Sequence, residues 1–216
     1  EVFLITPGNV TNPTWSQVKA GYSAAHKVVE PTVKTMPDHV TTTNNNVFKR
    51  SGFLTDIIDI SAGMDSFALL RQDSMLFTMS LSTSGVNGYG QQGHGWGANL
   101  NANYTVATAN PYPVAAGETT DINGGNDRLV GVLSVASGNY HHAALVRQDN
   151  THHYMVAWGR GTEGELGNNT LFNARWPLYV QDETGTGRLE YITDIYAGGN
   201  NTGAVAMPSA GGYPSS

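Results

Sequence analysis

The 216-residue sequence predicts an all-β fold built from repeated small antiparallel sheets. Three observations carry this. Glycine numbers 26 while charged residues make up 13% of the chain, against a typical quarter, and Thr, Asn and Ser are abundant, a composition of short strands and tight turns. A signal ending in a small residue and glycine recurs four times, as V-K-A-G (Val18–Gly21), I-S-A-G (Ile60–Gly63), V-A-S-G (Val135–Gly138) and I-Y-A-G (Ile195–Gly198). Finally, Tyr154–Gly167 (Y-M-V-A-W-G-R-G-T-E-G-E-L-G) reads as a strand entering a glycine-punctuated turn, in which Gly159, Gly161, Gly164 and Gly167 supply tight backbone geometry.

Each glycine signal leads into an apolar strand: Phe67–Leu70, Ala143–Val146 and Gly203–Ala206 follow the last three. Two of these strands continue identically, as Arg71-Gln72-Asp73 and Arg147-Gln148-Asp149. A second signal, P-x-x-V, precedes each glycine: Pro7–Val10, Pro37–Val40, Pro111–Val114 and Pro177–Val180. Two short motifs in phase four times define a repeat. Its parts are a proline-ended outer strand, a linker, an inner strand entering the Gly turn, and a hairpin. That small sheet is the unit of a propeller blade, which buries its faces only against its neighbours. The units run about 7–36, 37–110, 111–176 and 177–207 within a single domain, 1–216, and a Gly/Pro/Ser-rich stretch at 208–216 reads as a flexible tail.

The motifs A-S-G-N-Y-H-H-A-A-L-V, V-A-W-G-R-G-T-E-G-E-L-G and W-P-L-Y-V resemble the repeat of the regulator-of-chromosome-condensation family, which runs G-x-x-H-x-x-A-L, W-G-x-N-x-x-G-Q-L-G, P-x-x-V. Residues 131–180 match, with Glu165 where the family usually has Gln and Arg160 in the spacer. Elsewhere the pattern drifts. Ser66 replaces the histidine of the second copy, its A-L follows one residue early, and its W-G turn becomes S-G-V-N-G-Y-G-Q-Q-G-H-G. The first copy is too short for the W-G hairpin, and the fourth stops after its inner strand.

The resemblance implies a ring of about seven blades, whereas roughly three to four repeats are present here, too few for an ordinary closed propeller. An incomplete or open ring exposes strand edges that something must cover. Glu1–Thr6 (E-V-F-L-I-T) is an apolar β-type hexamer suited to end a blade, and Tyr191–Met207 begins a blade without ending it. The leading expectation is therefore head-to-tail self-assembly into a filament or ring. Val2, Phe3, Leu4 and Ile5 of one copy would complete the blade that carries Ile195, Ala204 and Val205 in the next, by strand addition. The alternative is a protein-binding propeller domain or fragment that recognises a partner through blade loops such as 85–110, as the resemblance implies for secreted relatives that inhibit enzymes. Nucleotide exchange on a small GTPase, also known in the family, finds no support in the acidic, drifted loops.

Composition narrows the partners. The net charge is −6 and the 11 Lys and Arg residues are scattered, so nucleic acid and anionic membrane surfaces are excluded as expectations. No apolar run reaches the roughly 20 residues of a membrane-spanning helix. Without cysteine there is neither disulfide nor thiolate metal site. The chain begins at Glu1 with no leader pattern, as a processed or trimmed terminus would. Four Asn-x-Ser/Thr triplets start at Asn9, Asn103, Asn168 and Asn200, most of them explained by chance in a chain this rich in Asn and Thr. The extracellular or cell-surface setting is the expectation that goes with the cut-off repeat count, the E-V-F-L-I-T strand and the non-basic, cysteine-free composition.

Candidate chemistry is thin. His141-His142 and His152-His153 flank one hairpin, but adjacent strand residues point to opposite faces, so each pair offers a single ligand to any shared site. The resemblance makes His141 a blade-packing residue. Asp121, Asn123 and Asp127, with Glu118 before them, group oxygen ligands as a calcium loop does, without its full spacing; a solvated linker turn is the expectation and calcium the alternative. Asp182-Glu183 stands in the equivalent linker of the next copy. No G-x-S-x-G, phosphate loop or H-E-x-x-H occurs, so a non-enzyme without cofactor is expected. Trp15, Trp96, Trp158 and Trp176 are expected to anchor blade packing.

Overall fold

The computed structural model describes residues 56–64, 66–80, 88–95, 112–118 and 128–207, together with the backbone of four short strands, Val29–Glu30 (β1), Lys34–Met36 (β2), Asn46–Phe48 (β3) and Gly52–Phe53 (β4). β1 pairs with β4 and β2 with β3, both antiparallel. Two four-stranded sheets follow. The second blade holds Ile57–Ala62 (β5), Ser66–Arg71 (β6), Leu76–Ser80 (β7) and Tyr112–Pro113 (β8) in chain order, and the third holds Val132–Ser137 (β9), His141–Arg147 (β10), His153–Gly159 (β11) and Ala174–Tyr179 (β12). The fourth repeat contributes a hairpin, Ile192–Gly198 (β13) and Asn201–Ala206 (β14). All pairing is antiparallel, so the fold is all-β with propeller-type blades, and the described blades close no ring. Among the described residues no helix is long and apolar enough to cross a membrane.

Strand composition follows from how many faces are covered. β10 lies between its neighbours with both faces packed, and Ala143, Ala144, Leu145 and Val146 are all buried, so it reads as a continuous apolar run. β13 is covered on one face only: Ile192 and Ile195 enter the core while Thr193, Asp194 and Tyr196 stay outside. β14 has little cover at all. One apolar core runs from Ala68, Leu70 and Leu76 of the second blade, through β9–β12, to Ile192 and Ile195.

The sequence units start at the proline of P-x-x-V, but the sheet of the third blade ends on the strand that contains it. Pro177 lies inside β12, so the blades are phased one strand later than the 111–176 and 177–207 units. β12 is the outermost strand, and its register with β11 is irregular between the Ala157 and Gly159 pairs, where Pro177 withholds no ladder hydrogen bond.

The early A-L of the second copy has a structural consequence. Measured from the blade glycines, Arg71 takes the place of Val146, pairing with Ile57 as Val146 pairs with Val132. One residue of displacement moves a side chain to the opposite face of a strand. Arg71 is accordingly buried, over the Phe77 ring and paired with Asp73 at 2.6 Å, whereas Arg147 of the identical tripeptide is exposed.

Candidate functional site

The three described repeats join through one recurring set of contacts. At each full junction the amide after the blade glycine donates to the equivalent carbonyl of the next blade: Met64 N to Asn139 O at 2.9 Å, and Asn139 N to Gly199 O at 2.8 Å. The backbones come so near that a Cβ on Gly63 would lie 2.7 Å from Gly138 O, and one on Gly138 would lie 2.8 Å from Gly199 O. Close approach, rather than unusual dihedrals, is what demands glycine here. At Gly198 nothing among the described residues lies within 4 Å of such an atom.

A side-chain bond accompanies each backbone bond, with its partners exchanged. Ser66 Oγ meets Nε2 of His142 at 2.9 Å, and His141 Nε2 meets Thr202 Oγ1 at 2.8 Å. Ser66 and His141 stand three positions after their blade glycines, and His142 and Thr202 four. A short and a long side chain span each junction, whichever blade supplies the long one. The Thr202 hydroxyl donates to Glu165 O at 2.6 Å, so His141 is the donor to it. His142 also meets Ser137 Oγ through Nδ1 at 2.7 Å. Full burial, reinforced by the neighbouring His141, holds the His142 pKa down at about 3. Burial lowers that of His141 as well, with Glu165 opposing. Both rings are neutral structural joints.

The glycine turns supply a second recurring feature. Gly93 N donates to Gly90 O and Gly167 N to Gly164 O, with positive φ at all four glycines, so the turn of the second blade and that of the third share one geometry. Across the first junction Trp158 seats in that turn. Its indole is fully buried and donates to Gln91 O at 3.0 Å, and a Cβ on Gly93 would lie 2.6 Å from its Nε1. At Gly167, among the described residues, only Val180 Cγ1 approaches, at 3.0 Å, and the indole's place is a cleft of about 220 Å³ between residues 163–167 and 200–204.

A polar cluster rims the same end. Arg160 pairs with Glu163 and lies 3.5 Å from the buried carboxylate of Glu165, and its guanidinium also donates to Asn200 Oδ1 at 3.3 Å. Asn200 in turn donates to Glu163 Oε2 at 2.7 Å. Beyond the cleft the outer surface exposes Tyr196 (57%), Val205 (49%) and Met207 (59%).

Of the residues expected to mediate self-assembly, Val2, Phe3, Leu4 and Ile5 lie outside the described residues. Ile195 is buried against the third blade, while Ala204 and Val205 are exposed. Asp121, Asn123 and Asp127 also lie outside them, as do Trp15, Trp96 and the 208–216 tail. Glu118, expected beside those ligands, accepts the Tyr179 amide at 2.9 Å. Asp182 is engaged by its own turn, chiefly by the Thr184 hydroxyl, which lowers its pKa. His141 and His153 sit at opposite ends of the β10–β11 hairpin. His152 hydrogen-bonds Asp149 at 2.7 Å, and its ring lies 5.0 Å from that of Tyr191, tilted by 55°. Among the described residues no three His, Asp or Glu side chains group as a metal site. Sequence reasoning assigned Glu163 no role, and marked Asn200 and Thr202 only as the ends of an Asn-x-Thr triplet. Their signal was present, since Asn201-Thr202 occupies the place of His141-His142, but only the spatial junction shows that threonine can answer a histidine.

No protein-family model matches this sequence, and no curated protein matches it. Similar solved structures include Prp20p from Saccharomyces cerevisiae, described with its binding to Gsp1p and histones: 15% identity, 85% of this chain and 41% of that one, TM-score 0.48. Human WBSCR16 is 16% identical over 73% of this chain and 32% of its own, TM-score 0.44. Yeast RCC1 (Prp20) bound to Kap60 is 20% identical over 75% and 30%, TM-score 0.44. The chain spans less than half the length of each. By its own motif, and by the sheets that motif builds, the chain resembles propellers of the regulator-of-chromosome-condensation type.

Proposed function

We propose that this chain is a non-enzymatic protein-binding module whose open side, the free edge of β14 and the cleft beside it, takes an extended segment of a protein partner. One observation carries the reading. β10 pairs on both edges, with β9 and β11, whereas β14, its counterpart, pairs only with β13 among the described residues and is largely exposed. An exposed strand edge is a template for pairing, and main-chain hydrogen bonds supply the affinity of strand addition. Selection of displayed random peptides on the intact chain, counter-selected on an Ala204→Lys variant, should enrich β-prone extended sequences on the parent alone. Failure to enrich any such sequence sinks the reading.

A second reading has another copy of the chain provide the strand, its Val2–Ile5 segment reaching the neighbour's β14. The exposure of Ala204 and Val205 favours it. Light scattering should then show association that grows with concentration and is lost when residues 1–6 are removed. A monodisperse monomer with a protease-sensitive N-terminus counts decisively against it.

A further inference from the structure

The first junction shows what a completed blade places where β14 is open. In the third blade His142 of β10 lies opposite Trp158 of β11, and that indole fills the turn of the preceding blade. Four other parts of this arrangement are repeated one blade further on. Thr202 stands for His142, with the hydrogen bond from the preceding blade retained. Gly164 and Gly167 stand for Gly90 and Gly93, with φ of 83° and 60° against 78° and 67°. Val180 stands for Val114, each with a Cγ1 3.0 Å from the glycine's Cβ position. Gln181 N donates to Gly167 O as Ala115 N donates to Gly93 O, both at 2.9 Å. Among the described residues the indole alone has no counterpart, and a cleft stands in its place.

We infer that this cleft is a slot for tryptophan: a partner segment pairs antiparallel with β14, places its Trp opposite Thr202 and buries the indole against Gly167. The inference rests on the strand-addition reading and adds the residue the partner must bring. The cleft chemistry suits that side chain. Met155, Leu166, Val180 and Leu189 give an apolar lining, and the Glu165 carbonyl offers one acceptor. Its equivalent, Gln91 O, receives the Trp158 N–H. Glu165 O accepts the Thr202 hydroxyl and keeps a second lone pair for an indole N–H. An apolar body with a single polar handle is what distinguishes Trp from Phe or Leu here. The slot is already formed without its occupant, so binding incurs no cost of reshaping the turn.

The test uses the intact chain and three labelled peptides copying residues 154–161: the parent, a Trp→Phe version and a Trp→Ala version. Fluorescence anisotropy gives the affinities, and hydrogen exchange of Asn201–Ala206 reports where each binds. We expect the parent to bind and protect β14, Trp→Ala to bind at least about tenfold more weakly, as truncation of a buried aromatic anchor does, and Trp→Phe to fall between. An Ala204→Phe chain, with the slot partly filled, should weaken the parent peptide to the level of Trp→Ala; because the peptide series needs no altered protein, misfolding of that variant leaves the result intact. Equal affinity for all three peptides, with β14 protected, overturns the slot and leaves strand addition standing. No binding and no protection by any peptide overturns both.

Discussion

The junction between the second and third blades and the one between the third blade and the β13–β14 hairpin share a backbone and differ in what covers it. Both have the amide bridge at the blade glycine, the paired long and short side chains, and the glycine turn with its valine. Among the described residues only the first has the indole. Because the turn at Gly164–Gly167 keeps nearly the φ values of Gly90–Gly93 without an aromatic ring in it, the glycines and their hydrogen bonds set the turn, and the tryptophan occupies a seat that already exists. Stability should therefore reside at the closed junction and recognition at the open one, where exposed backbone is available to a partner.

The largest test of that contrast is truncation on the two sides. Trp158→Ala removes a fully buried ring from the first junction and should cost about 3–5 kcal/mol by urea denaturation, whereas Val205→Ala on the open face should stay within about 0.5 kcal/mol. Comparable losses from the two would erase the distinction. The glycines give a sharper, smaller version. Gly63→Ala forces a Cβ onto a backbone carbonyl that has little room to move and should cost about 1–3 kcal/mol, while Gly198→Ala meets nothing and should be neutral within about 0.5 kcal/mol. If Gly198→Ala proves the more damaging, the hairpin is covered in solution by something the cleft does not reveal.

Acid is the mildest probe and also discriminates. His142 is buried and neutral, its pKa held at about 3 against 6.5 for an exposed histidine. Since the folded value is the lower one, the unfolded chain takes up protons first as pH falls. The contribution of His142 is complete above pH 6.5 and is lost on acidification towards pH 3, at about 1.4 kcal/mol per pH unit, or about 2 kcal/mol at pH 5. Denaturation midpoints should fall between pH 7.5 and pH 5, and His142→Gln should flatten that decline. An unchanged slope in the variant would place the titrating group elsewhere.

Much of this architecture was legible because it depends on local rules. The run Ala143–Val146 announced a strand packed on both faces, the W-G turn announced its glycines, and Trp158 announced an anchor. Other features depend on where neighbouring blades fall. The tripeptide Arg-Gln-Asp looks equivalent in two repeats, yet a one-residue difference from the blade glycine buries Arg71 and exposes Arg147. The substitution of the repeat histidine by Ser66 looks like loss of a contact until His142 is seen reaching across to it.

What the sequence alone determined is therefore the fold class and the repeat: all-β, glycine-turned and proline-edged, because strand periodicity and turn geometry are set within a few residues. The tertiary structure decided which strand ends each blade, which side chains answer one another across a junction, and that the seat beside Gly167 is open. Those are distances between residues far apart in the chain, and only packing one blade against the next brings them into being.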